Sequence, residues 1–181
     1  MSSEANNIYI EDFYSYSYTP LPRYGDGKPG HPQIERVLAQ GLTRYDQLLG
    51  RMSEFCGELL QIGLHHDPAH PERPNWINGF LPGLDVITIY GMTALYRPRM
   101  FLEIGSGNST KIAVAAKRAH RLETTIISID PAPRAEVNDI CDTVIRKPLQ
   151  ECDMQMFADL EPGDFLFLDG DLPGYFRTRL I

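Results

Sequence analysis

The sequence predicts an α/β domain built on a parallel sheet with flanking helices, preceded by an N-terminal helical segment. Three observations predict it. From Met100 onward, short apolar runs alternate with helical patterns: Phe101–Ile104, Thr125–Ile129, Thr143–Arg146 and Phe165–Leu168 read as strands. A glycine-rich turn, Gly105-Ser-Gly-Asn-Ser-Thr110, joins the first run to a helix. The first two runs are spaced as one strand–helix–strand unit of about thirty residues.

The glycine turn organises the rest. Gly105 and Gly107 break the strand, and Asn108, Ser109 and Thr110 supply N-cap chemistry for the next helix. A strand, a glycine turn and a helix N-terminus make a cradle for a polar ligand, because the N–H groups of the first helical turn are free. A tight turn with no ligand has the same pattern. The helix over Lys111–Arg121 places Ile112, Ala115, Ala116 and Ala119 on one stripe, with Lys111, Lys117, Arg118 and Arg121 on a solvated face. The second strand ends at Asp130, about 20 residues beyond the glycine turn, where a carboxylate can accept from ribose hydroxyls. Turn and acid together point to a nucleoside. The third glycine of a dinucleotide fingerprint is replaced by Thr110, which disfavours a nicotinamide-dependent oxidoreductase.

Length and composition set the bounds. With 181 residues, 43% of them hydrophobic, the chain suffices for one domain with an added segment. A net charge of −7 and the lack of a basic patch argue against nucleic acid as a partner. No apolar run approaches a membrane span, and the N-terminus has no signal-peptide pattern. Cys56, Cys141 and Cys152 show no metal spacing, as expected of idle thiols in a reducing cytoplasm.

Residues 1–33 form an aromatic, turn-rich arm, with Tyr14, Tyr16 and Tyr18 alternating as an extended segment packed on its own domain would. Residues 34–98 form a helical segment. Within it Ile34, Leu38, Gly41, Tyr45, Leu48, Met52, Phe55 and Leu59 make a heptad seam on one long helix to about Ile62. An amphipathic helix laid on its own domain is the favoured reading; the seam would also serve a homodimer. His65, His66 and His70 invite a metal, but Pro68 and Pro71 prevent a regular helix, and a surface loop is expected. Pro82 opens a helix running to about Tyr96, with Leu84, Ile87, Tyr90, Gly91 and Leu95 inward. Trp76, Asn78 and Asp85 fit either a ligand wall or a packed helix start. After Asp130 a helix is expected over Gln150–Leu160. Residues 99–181 then form the sheet domain, with ligands beyond the carboxyl ends of the strands where their order reverses.

The string Leu-Glu-Ile-Gly-Ser-Gly-Asn-Ser-Thr-Lys, with the acid Glu103 two positions before the first glycine, resembles the first motif of class I S-adenosylmethionine-dependent methyltransferases. The run Trp76-x-Asn-x-x-x-Pro-Gly-Leu-Asp85, the Tyr90-Gly91 pair and Arg97-Pro-Arg99 look like a bacterial subgroup of that superfamily, so the resemblance spans roughly Tyr24 to Gly170. It implies a Rossmann-like sheet, S-adenosylmethionine as cofactor and a small-molecule methyl acceptor. It further implies cofactor binding by Glu103, Gly105, Ser106, Gly107, Asn108, Ser109, Thr110 and Asp130. Asp169, after the fourth strand, would border the transferred methyl group as a base, a hydroxyl acceptor or, in some relatives, a metal ligand; no metal site is assigned. Relatives continue past Asp-Gly with Ser-His and three more strands, whereas only eleven residues follow Gly170 here. A parallel crossover needs a dozen or more, so the C-terminal strands of the family fold are expected to be missing and Phe165–Leu168 to lie at an open edge. That makes a catalytically inactive cofactor-binding or partner-binding remnant the alternative reading.

Overall fold

The computed structural model describes residues 23–25, 27–133 and 135–169. The expected arm tyrosines lie outside that set, as do Gly170 and the residues after it. The chain divides into two compact units, one of residues 43–170 and one of the remainder.

In the smaller unit, helix α1 (Pro32–Ala39) starts where Pro32 fixes φ and His31 Nδ1 accepts from the Gln33 N–H at 3.2 Å. The expected single long helix does not form. Gln40 and Gly41 donate three residues back, to Val37 and Leu38, and close α1. Glycine in a helix interior costs about 1 kcal/mol relative to alanine, so Gly41 is the weak point of the run. Helix α2 (Leu42–Met52) then leads through a 3₁₀ turn (Ser53–Phe55) into the single turn α3 (Cys56–Leu59). Only the later part of the heptad seam is buried: Met52 and Leu59 are core residues, whereas Ile34, Leu38 and Tyr45 are exposed.

The larger unit centres on helix α4 (Gly83–Tyr96), strand β1 (Met100–Ile104), helix α5 (Asn108–Ala119) and strand β2 (Thr125–Ile129). Strand β3 (Thr143–Ile145), the short helix α6 (Gln155–Ala158) and strand β4 (Phe165–Leu168) follow. The four strands form one parallel sheet in the order β3-β2-β1-β4, so the expected α/β, Rossmann-like class is found. Alternation sorts the strand residues between two faces. Phe101 and Ile126 pack under α4 and α5 with Val86, Ile89, Ile112 and Ala116. On the other face Leu102, Ile104 and Ile129 meet Met156, Phe157 and Leu160. β4 ends the sheet among the described residues, with Phe165 and Phe167 against the α4–α5 core and Leu166 and Leu168 exposed.

Two helices differ in detail from expectation. α4 buries Val86, Ile89, Tyr90, Gly91, Thr93 and Ala94, while Leu84 is exposed, because both the sheet and neighbouring helices cover it. Its Gly91 is required by contact: a Cβ there would lie 2.6 Å from Met52 Cγ. The Gln150–Leu160 helix shrinks to a 3₁₀ turn (Leu149–Glu151) and α6, since Cys152 is extended and Asp153 Oδ1 accepts from the Gln155 N–H at 2.9 Å to start a new helix. No helix among the described residues is long and apolar enough to cross a membrane.

Candidate functional site

The order β3-β2-β1-β4 places a topological switch point at β1, whose following turn lies between the ends of β2 and β4. The Gly105 N–H donates to the Ile129 carbonyl and the Asp169 N–H to the Ile104 carbonyl, both at 2.9 Å. Gly105 has φ +85°, and a Cβ there would strike the Asp169 carbonyl. Only glycine passes at this crossing. Gly107, by contrast, is extended at φ 174° and unstrained; its N–H donates to Thr110 Oγ1 at 3.0 Å, and α5 begins one residue later.

Asp130 stands at the end of β2, half-buried. Its Oδ2 accepts from the Ser106 N–H and its Oδ1 from the Ala132 N–H, each at 2.8 Å. One N–H per oxygen leaves acceptor capacity for a ligand's hydroxyls, since a carboxylate offers about four lone-pair sites. The Ser106 and Ser128 hydroxyls pair at 2.5 Å beneath the turn. Arg146 is a residue that sequence reasoning missed. Its Nη1 donates to Ser128 Oγ at 2.9 Å and to the Asp130 carbonyl at 3.1 Å, while Nε and Nη2 grip Asn138 Oδ1. The signal was its place one residue beyond β3: pairing of Ile129 with Ile145 sets Arg146 beside Asp130.

Glu103 lies under the turn rather than in it, with no exposed surface. Thr110 Oγ1 donates to its Oε2, while its Oε1 and the buried Ser109 Oγ make no well-formed hydrogen bond. Burial raises the Glu103 carboxyl from its ordinary 4.5 to about 7; the nearby Ser109 and Thr110 hydroxyls favour the ionised form, and the charges of Asp169 and Asp130 oppose it. Glu103, near the end of β1, therefore feels the charges of Asp130 and Asp169, which follow β2 and β4. Asp169 is exposed, at the mouth of this group. Asn108 and Ser109 form the first turn of α5.

Lys111 departs from the expected solvated face. It is buried, and its Nζ donates to the Pro71 carbonyl at 2.5 Å, which anchors the 65–76 strap to α5. Burial lowers its pKa, against the pull of Glu72 and Glu136. Trp76 and Asn78 are tied into the segment that leads into α4. Trp76 Nε1 donates to the Leu59 carbonyl at 3.3 Å. Asn78 Oδ1 accepts from the Phe80 and Leu81 N–H groups while its amide nitrogen donates to Asn75, Trp76 and Leu81 carbonyls. Asp85 is exposed in the first turn. His65, His66 and His70 sit on an exposed loop, and no group of three or more potential ligands is arranged for a metal ion among the described residues. The Cys141 thiol is pushed up to about 11, mainly by burial, which suppresses thiolate chemistry.

Among curated proteins, the chain is 26% identical over 159 residues to an uncharacterized protein of Archaeoglobus fulgidus, an alignment covering 80% of this chain and 71% of that relative. No family model matches the chain. No solved structure matches it either.

Proposed function

We propose that this protein binds S-adenosylmethionine and transfers its methyl group to a small-molecule acceptor. The observation that carries the reading is the convergence of Glu103, Asp130 and Asp169 around a glycine turn at the switch point. Helix N-termini at such turns suit phosphates, but a pyrophosphate here would face Asp130 and Asp169 with the Glu103 carboxyl sealed beneath the turn, and like charges in one site cost several kcal/mol. The nearby cations are engaged: Arg146 on Ser128, Asp130 and Asn138, and Lys111 on Pro71. A nucleoside carrying a sulfonium and an ammonium fits this field far better than a dinucleotide. The resemblance in the glycine turn and in the 76–85 run supports the same ligand.

When bound, S-adenosylmethionine supplies a methyl group already activated by the sulfonium. The chain's part is placement. Gly105 lets backbone and ligand approach, Asp130 accepts from the ribose hydroxyls, and Asp169 stands where it can take a proton from an acceptor's hydroxyl. Glu103 acts through Thr110, holding the start of α5 against the turn. The three cysteines carry no disulfide, which suits a cytoplasmic protein.

Calorimetric titration with S-adenosylhomocysteine tests the reading, alongside a fluorescence titration with NADH. Native protein should bind S-adenosylhomocysteine, and Asp130→Asn should bind it at least tenfold more weakly, a loss of about 1.4 kcal/mol. A folded chain that binds NADH instead, or neither ligand, overturns the proposal. Binding without methyl transfer to any tested acceptor would favour the non-catalytic alternative.

A further inference from the structure

Helix α4 packs on the strand it feeds through a connection of only three residues, 97–99, so it must run opposite to β1. Its last residue, Tyr96, lies edge-on to Phe165 at the start of β4, with ring centroids 6.2 Å apart. Phe165 and Phe167 both pack against the α4–α5 core, so α4 lies over β1 and β4. From Tyr96 back to Leu84 the helix rises about 18 Å, whereas β4 from Phe165 to Leu168 covers about 10 Å. The start of α4 therefore overshoots the end of β4 and stands at the carboxyl edge of the sheet, on the side of Asp169. The crevice is thereby divided. Asp130 and Arg146 belong to its β2–β3 side, where the proposed nucleoside lies, and Asp169 and the start of α4 to its β4 side.

The segment that enters α4 at this edge is apolar and displayed to solvent. Leu64, Ile77, Phe80 and Leu84 are each more than half exposed. No charged side chain stands between Ile77 and Leu84. The segment is also braced. The Ile77 N–H donates to the Leu64 carbonyl at 2.8 Å, and Asn78 Oδ1 accepts from the Phe80 and Leu81 N–H groups at 3.0 and 2.7 Å. Single exposed apolar residues are ordinary, but several on one fixed segment beside a crevice mark a binding surface. A surface already held in place loses little freedom when a ligand settles on it.

We infer that the methyl acceptor has an uncharged, apolar body that lies on the 77–84 segment and presents its nucleophile on the Asp169 side of the crevice. The inference rests on the methyl-transfer reading and narrows its substrate class. Sugars, amino acids and nucleotides gain little from a surface that offers Ile77 and Phe80 and no charge. An alkyl or aryl body gains from every apolar group it covers.

Two phenols of equal length, 4-butylphenol and 4-(3-hydroxypropyl)phenol, test the assignment by amide NMR titration of the full chain saturated with S-adenosylhomocysteine. 4-Butylphenol should shift the Phe80, Leu81 and Leu84 amides saturably and bind at least about tenfold more tightly than its polar counterpart. Phe80→Ser and Ile77→Ser, both at exposed positions, should each weaken 4-butylphenol at least about fivefold and leave Tm and S-adenosylhomocysteine affinity unchanged. Tyr96→Ser, at the far end of α4, should bind the probe as the native chain does. Absence of saturable shifts, probe affinities within about threefold of each other, unchanged binding in both serine variants, or an equal loss in Tyr96→Ser would each overturn the inference and leave the cofactor reading standing. Shifts of the same amides on dilution of the chain alone would assign the segment to a second copy and overturn it as well. A folded chain that does not bind S-adenosylhomocysteine would overturn both readings together.

Discussion

Replacing Glu103 with Gln should stabilise the protein at neutral and alkaline pH. The Glu103 carboxyl is fully buried and its pKa lies near 7 in the fold, against an ordinary 4.5. Between those two pH values the native state binds more protons than the unfolded chain, so stability falls as pH rises through the window. Each pH unit of that difference is worth about 1.4 kcal/mol, which makes the full loss about 3 kcal/mol above pH 7. Glutamine carries no charge at any of these pH values. Its carbonyl can accept from Thr110 Oγ1, as Glu103 does, and its amide can donate to the nearby Ser109 Oγ, which makes no well-formed hydrogen bond in the native chain. Urea unfolding followed by far-UV circular dichroism at pH 4.5, 6 and 8 measures the difference. The variant should match the native chain near pH 4.5 and exceed it by about 1–3 kcal/mol at pH 8. Other titrating groups are common to both proteins and cancel in the comparison. Parallel pH profiles, or a variant less stable at pH 8, would refute the assignment of a proton to this buried carboxyl.

Gly105→Ala combines a positive φ with a clash on the Asp169 carbonyl and should cost about 2–3 kcal/mol. That corresponds to a fall of about 4–12 °C in Tm, and an unchanged Tm would contradict the turn geometry. Asp164 accepts from the Met100 and Glu161 N–H groups and from Arg99; burial alone would raise its carboxyl, but these donors hold it below the usual 3.8. Asp164→Ala should therefore lose about 2 kcal/mol at pH 7, with the deficit shrinking as pH falls below about 4, where the unfolded carboxyl takes up its proton before the native one does. Lys111→Met removes the anchor on the Pro71 carbonyl and should speed cleavage after Glu72 by a glutamate-specific protease several-fold; unchanged cleavage would mean the strap is held elsewhere. At pH 7, where Glu103 is about half protonated, S-adenosylmethionine should displace up to about half a proton on binding and S-adenosylhomocysteine markedly less. Calorimetry in buffers of different ionisation enthalpy reads this directly, and equal release by both ligands would count against a sulfonium beside the three carboxyl groups.

Strands were the most legible part of the fold because each is a short apolar run bounded by breakers. Thr125–Ile129 and Phe165–Leu168 fall where their residues place them, and α4 needed only Pro82 and the residues before Pro98 to bound it. Helices were legible only where tertiary burial and local chemistry agree. The heptad seam through Gly41 is regular on paper, yet a glycine and two i→i−3 bonds close α1 there. The amphipathic stretch after Leu149 is likewise interrupted, because Asp153 offers its side chain to the Gln155 N–H and competes with helix continuation. Periodicity reports which residues prefer a common face; it does not report whether the backbone between them is held by side chains instead.

The site was half legible for a related reason. Spacing located the glycine turn and Asp130, since both depend on chain direction and crossover length. Spacing could not show that Glu103 is sealed beneath the turn, that Arg146 reaches back to Asp130, or that Lys111 leaves the solvent face. Those facts follow from sheet register and helix packing, which align Glu103 with Ser128 and Ile145 with Ile129. The consequence is chemical. Glycine turns of this shape accept phosphate readily when their surroundings are neutral or basic. Here the register gathers carboxyl groups at the end of every strand that reaches the crevice and occupies the neighbouring cations with structural bonds. On the proposed reading it is that field, more than the glycines, that would favour a cationic nucleoside over a dinucleotide in the same backbone cradle.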